Sequence, residues 1–166
     1  MNALGNHLYL GLYILSNVVA VLVLWASWKR ARLARLLLSV IFAWASWTNW
    51  NEALVAPQYY LEYSNLALLG WYSHFINGWF STHILVFVGS IATCQAVIAV
   101  SMWLKGWLLR AGVAGGALFL FAIAPLGVGA AFPCTVITGG AMLILLYRKR
   151  SSYLWTPSPP AVTASY

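Results

Sequence analysis

The sequence predicts an all-α fold, a polytopic bundle of five transmembrane helices. Three observations carry that prediction. The 166 residues are 63% hydrophobic and only 7% charged, with a mean hydropathy of +0.82, whereas about a quarter of a soluble domain is charged. Apolar runs near spanning length recur along the chain, at about 8–28, 32–54, 82–104, 107–124 and 130–147. The nine Lys and Arg residues cluster at alternate ends of those runs, so one orientation puts all of them on the same side. The net charge of +7 then reads as topology and contact with anionic lipid, with no nucleic acid as partner.

The first run, 8–28, has no basic residue before it and Lys29, Arg30, Arg32 and Arg35 after it. A secretory signal has the reverse polarity, so this is read as a retained helix with its N-terminus outside. Asn17 in its middle is expected to bond to a neighbouring helix. The second run, 32–54, begins as plain lipid-soluble sequence. Its far half places Thr48, Asn49 and Glu52 on one face, with Trp44, Trp47 and Trp50 beside them. Pro57 ends it.

The loop 55–81 has no Lys or Arg and is rich in Tyr, Trp and Phe, rings that favour the headgroup level. A short interfacial helix is expected there, capped by Ser64 or Asn65, reaching Ile76, with Gly78 near its end. In the third run, His83, Ser90, Cys94 and Ser101 align at helical spacing, and this polar stripe is expected to face the bundle. Gly89 and Thr93 would allow close packing. The fourth run holds Gly112 and Gly116, a small-residue pair read as internal packing, with Ala111 and Gly115 offset by one. Arg148, Lys149 and Arg150 stop the fifth run, and the proline-rich tail, 151–166, is expected to be disordered.

With five spans and the N-terminus outside, every Lys and Arg falls inside and both carboxylates, Glu52 and Glu62, fall outside. A four-span chain that fused the last two runs would split the basic clusters. The expected location is therefore a bacterial inner membrane with the C-terminus in the cytoplasm, and residues 1–150 form a single domain.

Residues 35–148 resemble the DoxX-like family of small membrane proteins. The resemblance rests on RLLLSVIFAWASW, on NEALVAPQYY with Pro57 and Tyr60, on HILVFVGS, and on SMWLKGWLLRAGVAGGALFLFAIAP. Asn49 or Asn51 stands where the family often has a Lys or His, and His83 where it often has a Glu. The resemblance implies a four-helix core, here with an added N-terminal helix. Family members are linked to quinone-coupled oxidoreductases, including thiosulfate oxidation, and to assembly of membrane complexes.

Candidate chemistry gathers at the outer side, which holds His7, His74, His83, Glu52 and Glu62. A quinone slot would be lined by Trp44, Trp47, Asn49, Glu52 and His83. His74, His83 and Glu62 are the nearest approach to a metal set, but no two share a ligand spacing on one helix. Haem is disfavoured, because no two histidines fall on facing helices. Nucleophilic catalysis is disfavoured too: the chain has no Asp, and Cys94 is expected to be buried and unactivated. Cys94 and Cys134 differ in depth and should not form a disulfide. Two functions follow. One is an accessory subunit or assembly factor packing against other integral membrane subunits of a respiratory or photosynthetic complex. The alternative is a membrane subunit of a quinone-linked oxidoreductase.

Overall fold

The computed structural model describes residues 7–148 and 152–156. Every regular element among the described residues is helical. Six α-helices are present: α1 (His7–Lys29), α2 (Ala31–Val55), α3 (Gly70–Phe75), α4 (Ile84–Ser101), α5 (Gly106–Ile123) and α6 (Cys134–Leu146). The five long helices close into a ring. α1 packs on α2 and α6, α2 on α4, α4 on α5, and α5 on α6. The boundaries lie within a few residues of the predicted ones, except that the fifth helix starts at Cys134 rather than near 130. Residues Ala124–Ala130 instead form a kinked turn.

By length and composition, three stretches can cross a membrane: Leu10–Lys29, Ile84–Ser101 and Gly106–Ala130. α2 is long enough but carries Arg32, Arg35, Asn49 and Glu52. α6 is apolar but has 13 residues, about 20 Å at 1.5 Å each, short of a roughly 30 Å hydrocarbon layer.

One core runs through the ring. Val23 of α1, Leu38 and Phe42 of α2, Ile98 and Met102 of α4, Val113 and Ala117 of α5, and Met142 of α6 are buried together. Where two come from one helix they are four apart, the helical repeat that puts side chains on one face. A smaller aromatic cluster, with Tyr60, Ile76, Phe80 and Val88, sits at one end.

The connections explain how the ends are built. A single non-helical residue, Arg30, separates α1 from α2. α2 stops at Val55 because Ala56 precedes Pro57 and is driven out of the helical region, to φ −146°. No short helix is capped by Ser64 or Asn65. A 3₁₀ segment, Pro57–Asn65, comes first and α3 starts at Gly70 after an extended Leu69. The Ser64 hydroxyl donates to the Leu61 carbonyl at 2.8 Å, and the residue lies inside the 3₁₀ segment rather than at a helix start. Gly78 marks a break between α3 and α4, with a non-helical ψ of −115°. The turn Ala124–Ala130 closes over the loop, with the Leu68 N–H bonded to Pro125 O at 2.8 Å. Gly127 there has φ +66°, and a Cβ would lie 2.8 Å from Leu66 O, so both conformation and space demand glycine.

The ring therefore has two chemically different ends. One is capped by the aromatic loop and the 124–133 turn, with Glu52 and Glu62. The other gathers Lys29, Arg30, Arg32, Arg35, Lys105, Arg110 and Arg148, every described Lys and Arg. Lys149, Arg150 and residues 157–166 lie outside the described residues. The expectation of a disordered tail is corrected for residues 152–156, which dock on the basic end. Leu154 N–H bonds Trp103 O at 3.2 Å, and Lys105 sits 4.7 Å over the Tyr153 ring.

Candidate functional site

Three amide and phenol side chains meet between α2, α4 and the loop. Asn49 Nδ2 donates to Gln95 Oε1 at 2.8 Å, and the Tyr60 hydroxyl donates to Asn49 Oδ1 at 2.9 Å. Gln95 and Tyr60 are both buried. Burial, then the nearby Glu52 carboxylate, holds the Tyr60 phenol above its ordinary range. It therefore stays protonated and keeps donating. Two serines add the same kind of link, Ser39 to Ala99 O at 3.0 Å and Ser46 to Ala92 O at 2.7 Å. Together these bonds tie the stretch of α2 from Ser39 to Asn49 to the stretch of α4 from Ala92 to Ala99. A double-mutant cycle on Asn49→Leu and Gln95→Leu should return a coupling of about 0.6–1.7 kcal/mol, the range for such bonds in membranes, measured by unfolding in detergent micelles.

The residues expected to line a quinone slot go to different sides. Asn49 turns inward to Gln95. Trp44 and Trp47 turn outward, 64% and 60% exposed, with ring centroids 5.1 Å apart. Glu52 is exposed near the end of α2. His83 is exposed at the start of α4, its ring stacked 4.4 Å from Trp79. Its Nδ1 lies 3.0 Å from Trp79 O. The same nitrogen lies 2.8 Å from the Thr82 hydroxyl. His7, His74 and Glu62 are also exposed. Among the described residues, no three His, Cys, Asp or Glu side chains come together.

The polar stripe on α4 is corrected. His83, Ser90 and Cys94 are exposed, and only Ser101 is buried. The reason is local: Ser90 Oγ donates to Val86 O at 2.7 Å, so its hydroxyl needs no partner across the bundle. The inward face runs instead through Gly89, Ala92, Gln95 and Ala99. Cys94, expected to be buried, is exposed on the same outward face as Ser90, and both cysteines are free. Thr93 takes no part in helix packing, since it is exposed and bonds Gly89 O at 2.8 Å. The three glycines do pack. A Cβ at Gly89 would meet the Trp50 ring at 2.9 Å, one at Gly112 would overlap Ser101, and one at Gly116 would press on Met142 and Ile98.

Asn17 is corrected as well. Its amide nitrogen donates to Tyr13 O of its own helix at 2.9 Å, and its oxygen is buried without a hydrogen-bond partner among the described residues. It borders an apolar groove of about 540 Å³ between α1 and α6, lined by Tyr13, Val18, Val21, Pro133 and Ile137.

The basic end holds a feature that sequence reasoning missed. Arg35 is only 5% exposed. Its Nε donates to Met102 O at 2.8 Å, one terminal nitrogen to Leu104 O at 2.7 Å, and the other to Ser152 O at 2.8 Å. One guanidinium thus caps the α4 terminus and anchors the tail. Arg32 reaches Ser152 Oγ and Thr156 O, and Arg148 donates to Trp28 O. The signal was Arg35's position, a full turn inside α2, where a merely solvated charge would be misplaced. Between these groups lies a notch of about 120 Å³, lined by Arg32, Arg35, Arg148 and Ser152 together with Leu109, Val113 and Leu145.

Comparison with protein-family models, curated proteins and solved structures finds no match to this chain.

Proposed function

We propose that this chain is a non-catalytic integral membrane subunit or assembly factor that docks on another membrane protein through the outer face of α2. The observation that carries the reading is the Trp44–Trp47 pair. α2 spans Ala31–Val55, so Trp44 lies about 1.5 Å and Trp47 about 6 Å from the helix midpoint. Tryptophan favours the headgroup level, roughly 15 Å from the bilayer centre. Two exposed indoles this near the middle of a helix fit a protein partner better than an aromatic belt.

In this reading the chain crosses five times, α2 and α6 included, with the basic end at the cytoplasmic face of a bacterial inner membrane. The alternation of the five helices and the gathering of the described basic residues at one end support it. The short α6 spans with help from the turn before it. The DoxX-like resemblance adds complex assembly as one known setting of such bundles. The quinone-linked alternative has less support, because its proposed lining residues face different ways.

The test is mild extraction of the tagged chain, native mass spectrometry of the purified species, and quinone analysis of the same peak. The expected result is a complex of fixed stoichiometry that Trp44→Leu/Trp47→Leu dissolves while the chain stays folded. A lone wild-type species carrying quinone, lost on Glu52→Gln or His83→Leu, would overturn the proposal in favour of the oxidoreductase.

A further inference from the structure

We propose that the groove between α1 and α6 holds one hydrocarbon chain of a membrane lipid, bound by its tail and not by its headgroup. The proposal rests on α1 crossing the membrane and is independent of any partner on α2.

Depth comes first. Along α1 the groove runs from Tyr13 to Leu22, about 13.5 Å by helical rise. The midpoint of α1 (His7–Lys29) is Val18, so Tyr13 lies about 7.5 Å to one side of it and Leu22 about 6 Å to the other. Both stay inside a hydrocarbon layer that reaches roughly 15 Å from its centre. Headgroups do not come this deep.

The lining is as apolar as its depth requires. Neither residues 7–28 nor α6 carries a Lys, Arg, Asp or Glu. Two side chains in the lining have polar atoms, and both are turned to the chain itself. The Tyr13 hydroxyl donates to Phe132 O at 2.6 Å, and the Asn17 amide nitrogen donates to Tyr13 O. The Asn17 oxygen is buried, out of reach of an occupant. A polar ligand would therefore leave its own groups unpaired here, at a cost of a few kcal/mol each.

Size separates the apolar candidates. A helix about 10–12 Å across would need more than about 1,000 Å³ over the same length, and the groove offers about 540 Å³. Its eight lining residues also fall well short of the roughly 20–30 a side of a stable protein interface. The same volume equals about eighteen waters at roughly 30 Å³ each, and a methylene is close to a water in size. One long acyl chain fits. Ile14, Val18, Val21 and Leu22 are each a little over half exposed, so the chain can enter sideways from the bilayer. A groove touches such a chain on more than one side, and every extra atom pair adds dispersion attraction that a plain helix face lacks.

The test uses the full chain in vesicles of dioleoyl phosphatidylcholine doped with a phosphatidylcholine that carries a diazirine along one acyl chain. After illumination, peptide mass spectrometry reads where that chain was captured. Adducts on residues 13–22 and 133–137 should exceed those on Val86 and Val97 of α4 by about fivefold. These two are 68% and 63% exposed and lie outside the groove. A probe with a glycerol headgroup in place of choline should give the same ratio. Val18→Trp and Ile137→Trp, which fill the groove from its two helices, should each bring the ratio to parity, and Val97→Trp should not. Circular dichroism checks the fold of each variant, and the wild-type ratio stands without them. Equal labelling of the groove and α4 in the wild type would overturn the proposal, as would a ratio that follows the charge of the headgroup. A groove protected from label while α4 is labelled would also overturn it, in favour of a second copy or the chain's own termini as occupant. No label on either helix would sink the membrane reading, and the proposal with it.

Discussion

Arg35→Met is expected to cost about 3–5 kcal/mol of stability and to release the tail from the bundle. Methionine keeps much of the apolar stem but removes every donor. Three carbonyls then lose their partner at once: Met102 O and Leu104 O at the end of α4, and Ser152 O in the tail. Hydrogen bonds from a charged donor contribute about 1.5–3 kcal/mol each. The sum is reduced because water at the membrane edge can replace some of them. The cation also lies at the negative end of α4's dipole, which adds a fraction of a kcal/mol. Arg35→Lys should recover less than half of the loss, since one ammonium cannot reach three divergent acceptors as a planar fork does. Two measurements check this. Unfolding in mixed micelles gives the free energy, and limited proteolysis between Arg148 and Tyr153 reads the tail. If Arg35→Met unfolds like the wild type with the tail still protected, the clamp is incidental to stability.

The Arg35 result would also separate the two roles of basic residues in this chain. Lys29, Arg30 and Arg110 are exposed, and water can solvate them. Arg35 is buried and builds structure. A charge count treats these alike, and only Arg35's depth, a full turn inside α2, sets it apart.

Other parts of the molecule divide in the same way. The turn between α1 and α2 was legible, because Lys29 and Arg30 interrupt two apolar runs and one residue suffices to reverse the chain. The end of α2 was legible from Pro57, whose effect on the preceding residue is local. The glycines of α5 were legible as packing positions, though not their partners. The inward face of α4 is not marked by its serines, because a serine does not need the bundle for a partner. Serine and threonine can satisfy themselves on the turn below, as Ser90 and Thr93 do. Gln95 has a longer amide with two donors and an acceptor. It sits about 120° around the helix from the Ser90–Cys94 line at 100° per residue, and it marks the buried side. The Trp44–Trp47 pair was visible as composition, but its outward direction depends on which neighbours surround α2. That is a property of the ring, not of any window of sequence.

Gly112→Val should be the most damaging change on the α4–α5 seam, at about 3 kcal/mol or more. A Cβ at this position would overlap both Oγ and Cβ of Ser101 and lie 3.8 Å from its Cα. Rotating the Ser101 hydroxyl away would break its 2.6 Å bond to Ile98 O and still leave the Cβ in place. The two backbones must therefore move apart. Overpacking of this kind costs about 1–3 kcal/mol for small insertions, and valine adds two further methyl groups. Helix propensity works the other way, since alanine is better than glycine by about 1 kcal/mol. Gly112→Ala should thus lose about 2 kcal/mol net. Gly115 provides the contrast, because nothing lies within 4 Å of a Cβ there, so Gly115→Ala should be neutral or stabilising by up to about 1 kcal/mol. The decisive variant is Ser101→Gly/Gly112→Ala, which moves the missing Cβ from one helix to the other. If the seam is set by that single contact, the double variant regains most of what Gly112→Ala lost. If it stays as unstable as Gly112→Ala alone, the close approach of α4 and α5 is governed elsewhere, with Gly116 against Met142 and Ile98 the next contact to alter.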